Sequence, residues 1–90
     1  MRKFIWDERK AKDNLAIHRV AFSEIERFEF GTAIVETDER FEYGETREVA
    51  TGLIGVVLHV AVYTVRGDLP RLISLRKANR KENFYYAENA

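Results

Sequence analysis

The chain has no cysteine, one proline, one tryptophan and one methionine among its 90 residues. Without a thiol there is neither a disulfide nor a thiolate metal site, and two distant histidines, His18 and His59, do not by themselves complete a zinc set. The core is therefore expected to hold by packing, without a structural metal. Pro and Gly are too sparse to form a linker, and this length fits one small domain, 1–90, with a modest core. Long apolar runs are missing too. The uncharged stretch "VATGLIGVVLHVAVYTV", Val49 to Val65, falls short of the roughly 20 residues of a membrane helix and contains His59 and two glycines. Its β-branched content points to buried strands. "MRKFIWDE" reaches acids before any apolar run long enough for a signal peptide, so a cytoplasmic protein without membrane contact is expected.

Net charge is also absent, but its distribution is uneven. Residues 1–23 carry six cations and three anions, 24–48 three cations and nine anions, and 49–90 six cations and three anions. A neutral molecule with such patches can still attract nucleic acid locally. The densest basic stretch is "SLRKANRKENFYY", where Arg76, Lys77, Arg80 and Lys81 fall within six positions.

The pattern predicts an α+β fold. "KFIWD" reads as a short strand, and Asp7 as the N-cap of a helix from about Glu8 to Ile17 with Leu15 facing inward near Ala11. Ser23 can cap a second short helix, "EIERFEF", which places Ile25 and Phe28 on one face and stops at Gly31. "AIVET", "REVATG", "VVLHVAVYTV" and "PRLISLRKA" then read as a four-stranded antiparallel meander with turns near Gly55 and at "RGD". Asn79 followed by Glu82 resembles a capping box and opens a last helix carrying Phe84, Tyr85 and Tyr86. Strict alternation puts Leu72, Ser74 and Arg76 on an open face and Ile73 and Leu75 in the core. Pairing through the "RGD" turn sets His59 opposite Arg76 and Ala61 opposite Ser74.

Taken in order, "WDERKAKDNLAIHRVAF", "DERFEYGETR", "VYTVRGD" and "RLISLRKANRKE" resemble the BrnT family of bacterial toxins, whose partner antitoxin is BrnA. The likeness covers nearly the whole chain. Two features depart from it: many members have glycine after the histidine of "HRV", where Arg19 stands here, and the hairpin near "GLIGVV" is short. The resemblance implies a RelE-like ribonuclease toxin, a small antiparallel sheet with N-terminal helices and a C-terminal helix packed on it, needing no metal or cofactor. It also implies RNA as substrate and a BrnA-like antitoxin in a 2:2 heterotetramer, with operator DNA touched only indirectly through the antitoxin.

RNA cleavage requires activation of the 2′-hydroxyl, stabilisation of charge on the phosphate and protonation of the leaving oxygen. Arg76, Arg66 and Arg47 are candidates for the phosphate, because a guanidinium pairs with two phosphate oxygens. Each could equally form a surface ion pair. His18 and Glu45 are the acid/base types, against a helix-end role for His18 and a pairing of Glu45 with Arg47. Ser74 shares the open face with Arg76. Lys77, Arg80 and Lys81 would supply attraction, and Tyr86 would stack on a base or pack the last helix. The competing reading is a non-catalytic interaction module that keeps the fold and binds a protein or nucleic acid.

Overall fold

The computed structural model describes residues 3–39, 46–67 and 69–90, apart from the side chain of Arg66. Glu45 lies outside the described residues. Asp7 caps helix α1, Glu8–His18, by accepting a hydrogen bond from the Lys10 backbone N–H. Two 3-10 segments follow, Phe22–Arg27 and Phe30–Thr32, in place of the single helix expected there. Four strands, β1 Ile34–Asp38, β2 Thr46–Ile54, β3 Val57–Arg66 and β4 Leu69–Lys77, form an antiparallel meander in the order β1-β2-β3-β4. Helix α2, Arg80–Asn89, closes the chain behind the expected capping box of Asn79 and Glu82.

One face of the sheet packs on α1 and the 3-10 segments. Phe22, Ile25 and Phe28 meet Ala50, Ala61, Tyr63, Leu72 and Leu75 there. Phe4 and Trp6 flank this core, with Phe4 edge-on to Tyr63 and Trp6 edge-on to Phe22. The "KFIWD" segment makes only one parallel bridge, Ile5 to Arg71, so it covers the β4 edge without becoming a strand. Between β2 and β3 the two-residue turn needs a positive φ at its first position, and Gly55 supplies it at 63°.

Several expectations fail at the residue level, at α1 and along β4. Leu15 is 48% exposed, whereas its neighbour Asn14 is buried. The Asn14 amide donates to the Val20 and Leu75 carbonyls, at 3.0 and 2.7 Å, and its oxygen accepts from the Leu75 N–H at 3.2 Å. A buried polar group is tolerated when its hydrogen bonds are satisfied, and this one ties α1 to β4. Ile73, expected in the core, sits at a β-bulge: Tyr63 pairs with Leu72 and Val62 with Ser74, leaving Ile73 without a partner. Leu72 and Leu75 are therefore both fully buried, and Leu72 leaves the open face assigned to it. The register slips by one beyond the bulge, so His59 faces Lys77 and Ala61 faces Leu75.

Candidate nucleic-acid interface

Opposite residues in an antiparallel ladder share a face, which places the remaining side chains. On the face away from the helical core, β3 presents Leu58, Val60, Val62 and Thr64. Val60 pairs with Arg76, Val62 with Ser74 and Thr64 with Arg71 on β4; Thr64 pairs with Arg47 on β2, and Arg47 with Asp38 on β1. Arg76 and Ser74 thus lie on the open face, as the sequence indicates.

Helix α2 covers one end of that face. Arg76 Nη1 and Nη2 donate to the two Glu82 carboxylate oxygens, both at 2.8 Å, and Tyr86 Oη donates to the Thr32 carbonyl at 2.9 Å near the start of β1. The helix is thereby anchored towards both edges of the sheet. Leu58 and Val60, at this end, are buried although they face away from the core. Glu82 also accepts from the Asn79 N–H at 2.8 Å, so one carboxylate serves cap and ion pair together. The Arg76 hydrogen bonds, chiefly, hold the Glu82 carboxyl below its ordinary range despite desolvation; the same pair raises Arg76. Arg76 is therefore engaged as the strut of α2, and a phosphate there competes with Glu82.

The other end carries a row of polar and charged residues across all four strands: Asp38, Arg47, Thr64 and Arg71. Strand spacing puts the Cα atoms of Arg47 and Arg71 about 10 Å apart, and Arg47 about 16 Å from Arg76. The arginines expected to act together thus separate into two groups. Thr64 is buried between its neighbours, Arg47 is partly buried and Arg71 is exposed. Ser74 stands one row nearer α2. Arg66 ends β3 opposite Leu69, one row beyond Thr64 by backbone register. Two guanidiniums flanking a hydroxyl can grip an anion from both sides.

Arg71 was not singled out from sequence because strict alternation from Ser74 and Arg76 sends it into the core. The bulge at Ile73 reverses its face, and no local residue pattern marks that bulge. The remaining candidates lie elsewhere. His18 is the last residue of α1, in the helical layer on the opposite side of the sheet. Lys77 pairs with His59, whose neighbours Ala61 and Tyr63 at alternate positions are core residues, so it too lies on the helix-packed side. Arg80 and Lys81 are exposed on the first turn of α2, beside Phe84 and Tyr85. Tyr86 is partly buried, and its hydroxyl is used on Thr32. Among the described residues there is no cluster of three or more His, Cys, Asp or Glu positioned to hold a metal, and no helix long and apolar enough to cross a membrane.

A meander with α1 and the 3-10 segments on one face, and α2 beside an arginine row on the other, defines a small α+β protein able to present cations to a polyanion. Residues 6–82 match the family described as ribonuclease toxin, BrnT, of type II toxin-antitoxin system, and the chain belongs to that family. The crystal structure of the Brucella abortus ribonuclease toxin BrnT is similar, with a TM-score of 0.71 and 27% identity, covering 89% of this chain and 100% of that one. No curated protein matches the chain.

Proposed function

We propose that the protein is a metal-independent endoribonuclease toxin of the RelE-like kind, acting in the cytoplasm to inhibit translation and growth. The observation that carries this reading is the Arg47–Thr64–Arg71 row on the end of the sheet away from α2, in a chain whose family is one of ribonuclease toxins. Arg47 and Arg71 bind the scissile phosphate and stabilise its developing charge, with Arg66 alongside. Glu45, immediately before β2, supplies acid/base chemistry. Ser74 borders the bound strand. Arg80 and Lys81 add to the attraction from the start of α2.

Neutralisation falls to a BrnA-like antitoxin that covers the basic face in a 2:2 complex and alone contacts operator DNA. The test is incubation of the purified toxin with RNA in EDTA. Wild-type cleavage that survives chelation and falls 10²-fold or more in Arg71→Ala, as loss of one charge-stabilising donor does, supports the proposal. Binding without cleavage would make the protein an interaction module instead.

A further inference from the structure

On the helix-packed side of the sheet, where α1 ends and β2 turns into β3, lies a second basic site. An open groove of about 600 Å³ is lined by Arg19, Glu24, Arg27, His59 and Lys77 together with the Ile54–Val57 turn. Its three permanent cations face one carboxylate, and that carboxylate is already taken: Arg27 Nη1 donates to Glu24 Oε1 at 2.8 Å. Among the described residues, neither Arg19 nor Lys77 has an acidic partner. Lys77 stands directly opposite His59 in the β3–β4 ladder. Cations gathered into one concavity repel each other unless an anion joins them.

His59 is the second, independent sign. It is 6% exposed, and its Nδ1 lies 2.8 Å from the Val57 carbonyl oxygen. A carbonyl only accepts, so Nδ1 carries a hydrogen and the tautomer is fixed. Nε2 has no protein partner among the described residues, in a side chain that lines the groove. With the hydrogen on Nδ1, Nε2 offers a lone pair that a phosphate hydroxyl can donate to. Arg19, meanwhile, holds a left-handed backbone at φ 62°, a conformation rare for a side chain of this size.

We propose that this groove binds a phosphate group, with Arg19 and Lys77 as its charge partners and His59 Nε2 accepting from a phosphate hydroxyl. The site is separate from the arginine row, on the other face of the sheet, and stands whether or not the protein cleaves RNA. Its ligand is either a free small phosphate or the terminal phosphate of an RNA chain.

The measurement is a titration of ¹⁵N-labelled protein with inorganic phosphate. Saturable shift changes are expected at 19–21, 55–59 and 77. Affinity should fall about tenfold or more in Arg19→Gly and in Lys77→Gln, since each removes a charge-assisted contact. Glycine suits the φ at position 19, so the first variant keeps its fold. No saturable change, or unchanged affinity in both variants, would overturn the proposal. An RNA oligomer with a 5′-phosphate that binds more tightly than its dephosphorylated form identifies a chain end as the ligand; equal affinity of the two, with saturable inorganic phosphate, identifies a small phosphate.

Discussion

Asn14 occupies the position that an amphipathic helix would give to a leucine. Its amide satisfies the Val20 carbonyl and both backbone groups of Leu75, so replacing it strands buried polar atoms on two elements. Asn14→Leu is expected to cost about 1–3 kcal/mol, while Leu15→Ala stays within about 0.5 kcal/mol. Urea denaturation of the two variants checks this, and similar midpoints would count against it. Hydrophobic periodicity could not reveal Asn14, because its partners are backbone groups 61 residues away in the Leu75 case. At Arg19 the sequence does carry a signal, since glycine fits that place in the family resemblance. Arg19→Gly relieves a left-handed residue and is expected to raise stability by about 0.5–1 kcal/mol, read as a higher melting temperature.

Among the elements, α1, the four strands, the Gly55 turn and the α2 capping box were legible because each rests on local chemistry: a cap, alternation, a positive φ. The bulge was not. It depends on how β4 fits β3 around Tyr63, and it exchanges the faces of Leu72 and Arg71 relative to strict alternation. Leu72→Asp should therefore unfold the protein, whereas Ile73→Asp leaves a cooperative transition; the reverse order in thermal melts would restore the unbulged register. The attachment of α2 makes a different prediction. The Glu82 carboxyl is held below its ordinary value of 4.5, so its contribution is present above that pH and is lost as acid protonates the folded protein. In Glu82→Gln the stability deficit relative to wild type should be evident at about pH 7 and shrink at about pH 3. A deficit independent of pH would mean that the ion pair contributes nothing to holding the helix.

Across the molecule, the sheet separates two kinds of surface. One face is closed by helices and aromatic rings; the other is closed by α2 at one end and left to Asp38, Arg47, Thr64 and Arg71 at the other. The row runs from an acid on β1 to a base on β4, which gives spatial form to the acidic middle and basic last segment of the sequence. Alternation placed Ser74 and Arg76 on this face, where Arg76 is drawn to Glu82, but Arg71 joins it only through the bulge. The most direct measurement is amide shift mapping with a 2′-deoxy-substituted oligonucleotide, which lacks the hydroxyl needed for cleavage. Saturable, salt-sensitive changes centred on Arg47, Val62, Thr64, Arg71 and Ser74 are predicted, and Arg71→Ala should weaken them. Changes confined to the helical face or to the outer side of α2, with the row silent, would contradict the account.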